Sequence, residues 1–261
     1  MLKNPFLAGL HEGRSLAGFW HVIRDLAVTE AMRAVPLDFM VVDMQHLAIG
    51  LPWIEQVVVA LRASPIAVLV RVPVNDPTVI GQVLDVGADG VVVPMIDTDE
   101  DARRAVAAVR YPPSGTRSWG PRRFPRFAGA QEYAREANEN AALIVQIETS
   151  RALAQADRIA AVPGISCVMV GPTDLAISMG YNEDRGNPAV TEAALGVRDA
   201  CERQGVPFGF FAGPLGEAED WLARRARVVA CETDLSLIVQ GLAQLGAGVG
   251  AARAAGAASV G

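Results

Sequence analysis

The chain has 261 residues, a formal net charge of −6, 51% hydrophobic residues and 20% charged residues. That apolar share supplies a large core, and a (β/α)8 barrel takes about 250 residues. The acidic balance argues against general affinity for nucleic acid or an anionic membrane, and no basic stripe with interleaved aromatics marks a nucleic-acid groove.

No stretch approaches about 20 apolar residues free of charge, proline or turn signals, so no membrane span is expected. Residues 1–15 read as a polar leader that lacks the unbroken apolar segment of a signal peptide. Cys167, Cys201 and Cys231 have neither metal-ligand spacing nor an even-numbered disulfide framework, which fits a reducing, cytoplasmic compartment.

Short β-branched runs alternate with helical patterns along the whole chain. Strands are expected at 17–22, 38–43, 66–71, 90–94, 143–148, 166–171, 206–211 and 228–232. Amphipathic helices are expected at 51–63, 77–86, 98–110, 128–140, 151–161, 190–204 and 217–225. Pro52, Pro77 and Pro188 fall near helix starts, where a missing N–H costs little, and Gly87 and Gly205 follow helices as caps do. Eight near-continuous apolar strands separated by helices predict one parallel (β/α)8 barrel domain over 1–261. A doubly wound sheet is the rival, but no Gly-x-Gly-x-x-Gly turn follows the first strand, and no nucleotide cofactor is expected. The segment 111–127 breaks the rhythm with Pro, Arg, Gly and aromatics, and loops of that length are usually functional or mobile. The Gly/Ala-rich tail, 247–261, is expected to fray unless a helix there docks on a neighbour.

Polar fragments stand where several apolar runs stop, which in a parallel barrel is the mouth where chemistry is built. Glu148 and Asp174 end consecutive strands, so their carboxylates can reach one point and suit a hard divalent ion. Asp174 could instead cap a helix beginning near Leu175. Arg71 closes the third strand, where a guanidinium must be paired or bind an anion such as a carboxylate or enolate oxygen. His46, in the loop after the second strand, can move a proton near neutral pH, and Asp85 could orient it or raise its basicity. The chain has 22 arginines and one lysine, Lys3, in the leader; Schiff-base chemistry, which needs a buried amine beside the substrate, is therefore not expected.

Taken together, the fragments Gly18-Phe19-Trp20, Asp43-x-x-His46, Arg71-Val72-Pro73-x-Asn75-Asp76-Pro77, Leu84-Asp85-x-Gly87-Ala88 and Val93-Pro94-Met95 resemble the HpcH/HpaI aldolase family. The match continues through Arg110-Tyr111-Pro112-Pro113-x-Gly115-x-Arg117, Val145-Gln146-Ile147-Glu148-Thr149, Gly171-Pro172-Thr173-Asp174-Leu175 and Asn187-Pro188. The resemblance implies a barrel assembled as a homo-hexamer, with a C-terminal helix exchanged between subunits. It implies a divalent ion (Mg²⁺, Mn²⁺ or Co²⁺) held by Glu148 and Asp174, and a keto acid and an aldehyde as partners. It also places Gln146, Thr173 and Asp174 in the substrate pocket, beside Trp20, Gly171 and Pro172 of the matching fragments. Arg71 would stabilise an oxyanion, and His46, made more basic by Asp85, would serve as acid and base. The implied reaction is reversible cleavage of a 4-hydroxy-2-oxo acid to pyruvate and an aldehyde.

Two features depart from the family pattern. Gln45 stands where relatives commonly carry Glu before the histidine, and the loop Ser118-Trp119-Gly120-Pro121-Arg122-Arg123 replaces a run of small residues. With Arg117 and Arg126, its arginines could recognise an acidic aldehyde tail or pair across a subunit interface. The alternatives are oxaloacetate decarboxylation or another carbon–carbon cleavage on the same scaffold, and a silent keto-acid-binding protein that kept the pocket.

Overall fold

The computed structural model describes residues 4–121 and 129–258. Its elements run α1 (Pro5–His11), β1 (Leu16–His21), α2 (Leu26–Ala31), β2 (Phe39–Asp43), α3 (Leu51–Leu61), β3 (Ala67–Arg71) and α4 (Pro77–Asp85). The middle of the chain forms β4 (Gly90–Val93), α5 (Asp99–Val109), α6 (Ala130–Asn140), β5 (Ala142–Ile147), α7 (Ser150–Leu153), α8 (Ala156–Ala160) and β6 (Cys167–Val170). It ends with α9 (Pro172–Ser178), α10 (Pro188–Gln204), β7 (Phe208–Ala212), α11 (Leu215–Ala223), β8 (Val228–Thr233) and α12 (Asp234–Ala258). Each strand pairs in parallel with the next, and β8 returns to β1, closing the expected (β/α)8 barrel.

Period-two alternation divides each strand between two cores. Leu16, Phe39, Val41, Leu69, Val92, Ile144, Met169 and Val228 point inward and fill the barrel, whereas Met40, Val42, Val68, Val70, Val91, Val93 and Val145 pack outward under the helices. Room for the inner layer depends on Gly18, where an added Cβ would sit 2.5 Å from the Phe39 ring and 2.4 Å from its carbonyl oxygen. The same parity continues past the apolar layers to the carboxyl ends. Trp20, Asp43, Arg71 and Gln146 are therefore the next inward residues, and they form the floor of the mouth.

The strand expectations hold to within one or two residues, and the differences lie in the helices. Within the expected polar leader, Asn4 caps α1 by accepting from the Phe6 and Leu7 N–H groups, and Phe6 packs edge-on against Phe39 at 5.4 Å, closing the base of the barrel. The helix expected over 151–161 is two short helices, parted at Ala154 and Gln155. Beyond Gly246 the chain remains helical to Ala258. No helix among the described residues is long and apolar enough to cross a membrane.

Candidate active site

A cavity of about 160 Å³ opens at the mouth, lined by Trp20, Val22, Asp43, His46, Arg71, Gln146, Glu148, Gly171, Pro172, Thr173, Asp174, Phe211 and Thr233. Every sequence-derived site residue except Asp85 is there.

Arg71 is fixed by a residue that motif reasoning had not assigned a role. Its Nε and Nη2 donate to the two oxygens of Asp43 at 2.9 and 2.6 Å, and both side chains are nearly buried. The β2–β3 register sets Asp43 directly opposite Arg71, so the pair follows from two strands ending at the same level. Trp20 lies under the guanidinium, 4.2 Å from Cζ to the ring centroid, and Phe211 meets Trp20 edge-on at 5.4 Å. The guanidinium therefore has one face on an indole and one edge on a carboxylate, which leaves Nη1 for a ligand. Asp43 Oδ1 also accepts from the Gln45 N–H at 2.9 Å, turning the loop that carries His46 into the mouth. Burial pushes the Asp43 carboxyl up, but the hydrogen bonds and charge of Arg71 outweigh it, with Gln45 and His46 adding, and hold it below the usual carboxylate range.

Glu148 follows β5 and is almost wholly buried, at 2% exposure. Its Oε1 accepts from the Met95 N–H at 2.7 Å, an approach for which Met95 takes a left-handed backbone, φ 53°. Its Oε2 is buried with no hydrogen-bond partner. Burial, offset in part by the Met95 N–H and reinforced by the charge of Asp174, raises the Glu148 pKa to about 7. Gly171 keeps the space in front of this oxygen open, since a Cβ there would lie 2.5 Å from Oε2. Gly171 also caps α9, which begins at Pro172 rather than near Leu175; Asp174 thus lies in the first turn and is not the cap. Gln146, 1% exposed, likewise carries an unpartnered Oε1 at the cavity.

A buried carboxylate with one oxygen unpaired, facing a second carboxylate across an open cavity, is costly unless a cation or proton completes it. The donor set is hard oxygen with open positions, which fits a divalent ion that keeps substrate or water oxygens. Among the described residues no group of three or more His, Cys, Asp and Glu side chains could hold a metal, so the candidate ligands are this pair.

Asp85 does not line this cavity within one chain. It ends α4 at the base of the barrel, because that helix runs down from the mouth to the start of β4, whereas His46 is at the mouth. There Asp85 accepts from Arg117 Nη2 at 2.6 Å, and Arg117 stacks on Tyr111 at 4.5 Å. Arg117 is 4% exposed and turned inward to this pair, away from the mouth. Arg122, Arg123 and Arg126 lie outside the described residues. Val22, just beyond β1, Phe211 in β7 and Thr233 at the end of β8 line the cavity without having been anticipated.

Comparison with known proteins agrees with this geometry. The profile of the HpcH/HpaI aldolase/citrate lyase family matches residues 16–241, and the chain belongs to that family. It is an aldolase, an enzyme that cleaves carbon–carbon bonds. Among its relatives, a hydroxypyruvate/pyruvate aldolase of Sagittula stellata is 36% identical over 242 residues, covering 90% of this chain and 94% of that protein. A 4-hydroxy-2-oxovalerate aldolase of Rhodococcus jostii is 36% identical over 247 residues, covering 94% and 95%. A solved HpcH/HpaI aldolase/citrate lyase family protein from Burkholderia cenocepacia superposes with a TM-score of 0.89 at 30% identity, covering 95% of this chain and 99% of that one.

Proposed function

We propose that this chain is a divalent-metal-dependent pyruvate aldolase that reversibly cleaves a 4-hydroxy-2-oxo acid to pyruvate and an aldehyde. The observation that carries the reading is the unpartnered, buried Oε2 of Glu148 beside Asp174 and the fixed guanidinium of Arg71. Glu148 and Asp174 would hold the ion, and when bound it supplies Lewis acidity toward the 2-oxo group and an electron sink for the enolate.

The protein's own groups do the rest. Arg71 presents Nη1 to the oxygen on which charge develops, already oriented by Asp43 and Trp20, so little reorganisation accompanies reaction. His46 takes the proton of the 4-hydroxyl as the C3–C4 bond breaks; its electrons pass to C2 and the 2-oxo oxygen, and the aldehyde leaves. In the addition direction His46 returns that proton to the new hydroxyl. Gln146, Thr173 and the backbone at Gly171 and Pro172 border the pyruvate half. Trp20, Val22, Phe211 and Thr233 form the wall that the aldehyde meets.

Two wider features belong to the same reading. Leu235, Leu237, Ile238, Val239, Leu242 and Leu245 on α12 are each 45–63% exposed, which supports a homo-oligomer in which α12 is covered by another copy, the hexamer included. The three cysteines are free, which supports a reducing, cytoplasmic setting.

The test is pyruvate release from 4-hydroxy-2-oxo acids with neutral and acidic tails, followed through lactate dehydrogenase. Chelator-stripped enzyme should be silent and Mg²⁺, Mn²⁺ or Co²⁺ should restore turnover. Release that is undiminished in stripped protein, or absent from every substrate after reloading, overturns the proposal.

A further inference from the structure

Phe211 is the aromatic wall of the aldehyde side, and its position is set from behind by a group outside the cavity. Arg185 lies in the loop between α9 and α10. Its Nη2 donates to the Phe211 carbonyl oxygen at 2.7 Å and to Glu217 Oε2 at 2.8 Å, while its Cζ lies 5.3 Å from the Phe211 ring centroid. Glu217, on α11, uses the same oxygen to accept from the Gly213 N–H at 2.6 Å. One ion pair therefore ties the last residues of β7 and the turn beyond it to the α9–α10 loop and to α11. Both partners are about three-quarters buried, at 26% and 27% side-chain exposure, so the pair is screened less than one on the open surface.

The connection continues inward. Phe211 sits edge-on to Trp20, and Trp20 lies under Arg71. Arg71 has its own bidentate anchor in Asp43, so it does not depend on Trp20 for its charge partner. Phe211 stands opposite Ala230 in the β7–β8 ladder and packs on the inner core, and its ring meets Trp20 on the cavity side and Arg185 behind. A cavity of about 100 Å³, bordered by Arg185, Phe210, Glu217, Trp221 and Arg224, lies behind this clamp on the outer side of β7.

We infer that Arg185, held by Glu217, is a positioning residue that fixes the Phe211 wall and so sets the length of aldehyde the enzyme accepts, without contacting substrate. This rests on the aldolase reading above. Releasing the clamp should let Phe211 retreat, favouring longer aldehydes, while enolate formation, which uses Glu148, Asp174 and Arg71, is spared.

The experiment compares the parent enzyme with Arg185→Met, Arg185→Lys and Glu217→Gln, each metal-loaded and checked for folding by circular dichroism. Arg203→Met, which breaks an exposed bidentate pair with Asp157 elsewhere, is the control. Deuterium exchange into the pyruvate methyl group reports enolate formation alone; aldol addition of pyruvate to acetaldehyde, propanal and butanal reports the wall. The clamp predicts methyl exchange within about twofold of the parent, and a shift of about tenfold in the butanal-to-acetaldehyde ratio of kcat/KM, carried mainly by the aldehyde KM. Arg185→Lys keeps the charge but loses the planar fork, and should shift the ratio in the same direction. Arg185→Met added to Phe211→Leu should change the ratio no further, because the clamp acts through that ring.

An unchanged ratio in folded Arg185→Met and Arg185→Lys, or an effect additive with Phe211→Leu, overturns the clamp while leaving the aldolase reading intact. Methyl exchange absent from the metal-loaded parent overturns the aldolase reading and the clamp with it.

Discussion

Removing Asp43 should be worse for the protein than removing Asp43 and Arg71 together. Asp43 supplies both acceptors for the Arg71 fork, and the side chains are 6% and 12% exposed. Asp43→Ala leaves a guanidinium in a nearly dry mouth with an indole on one face and its hydrogen-bonded carboxylate gone, and breaking such a pair costs about 3–5 kcal/mol. For a chain of this size that corresponds to a fall in Tm on the order of 10 °C. Arg71→Ala alone strands Asp43 beside Glu148 and Asp174 and should be destabilising too. The double variant Asp43→Ala/Arg71→Ala carries neither orphan, so scanning calorimetry should show it more stable than Asp43→Ala, with a coupling energy of about 2 kcal/mol or more. Catalysis should read differently from stability. Asp43→Ala retains Arg71 but not its aim, and pyruvate methyl exchange should fall about 100-fold. A double variant no more stable than the single, together with undiminished exchange in Asp43→Ala, would refute the reasoning that Asp43 aims the guanidinium.

Gly171→Ala suits the backbone, which is extended there, but puts a methyl group 2.5 Å from the Glu148 oxygen; the variant should fold and bind Mn²⁺ at least tenfold more weakly, read by titration calorimetry. Asp89, at the base of the barrel, is raised by burial to about 6 from an ordinary 3.8, with only the Val68 N–H opposing. Its folded form therefore binds a proton the unfolded chain releases, so its contribution is fully present below about pH 4 and lost as pH rises to about 6, on the order of 3 kcal/mol in all. Asp89→Asn should remove that fall from a plot of denaturant midpoint against pH; an unchanged plot contradicts it. Asp234 behaves oppositely: burial is outweighed by hydrogen bonds from His21 and the Val22 and Ile23 N–H groups, which hold its carboxyl below the usual range. Its stabilisation is present above the unfolded carboxylate pKa and lost at lower pH, and Asp234→Ala should weaken the root of α12, seen as faster amide exchange at Val22 and Ile23.

The barrel was legible because its strands are buried on both faces and so read as apolar runs, with helix punctuation at Pro77, Pro188 and Gly205 between them. Short helices were less so. In α1, Asn4 followed by Pro5 is a start signal, but seven residues give too few turns for a periodicity, and the burial of Phe6 comes from the barrel base rather than from the helix. The unbroken pattern over 151–161 concealed a break at Ala154, where no proline or glycine stands. In the site, the charged strand ends Arg71 and Glu148 announced themselves as polar residues in apolar company. Asp43 did so as well, yet its function as the partner of Arg71 depends on register, which a single sequence does not print. Phe211, in an apolar strand, and Val22, just past one, are apolar residues, and nothing local separates a wall of the cavity from core. Asp85 stands between Arg71 and Glu148 in the chain, yet α4 carries it to the other end of its own barrel, a placement that chain order does not print.

The central claim is tested most directly by following deuterium exchange into the methyl group of pyruvate in D₂O, with chelator-stripped and Mn²⁺-reloaded enzyme and with Glu148→Gln. This measurement needs no knowledge of the aldehyde. The account predicts exchange only in the reloaded parent, with Glu148→Gln folded and at least about 100-fold slower. Equal exchange in stripped and reloaded enzyme, or full exchange in Glu148→Gln, would contradict it.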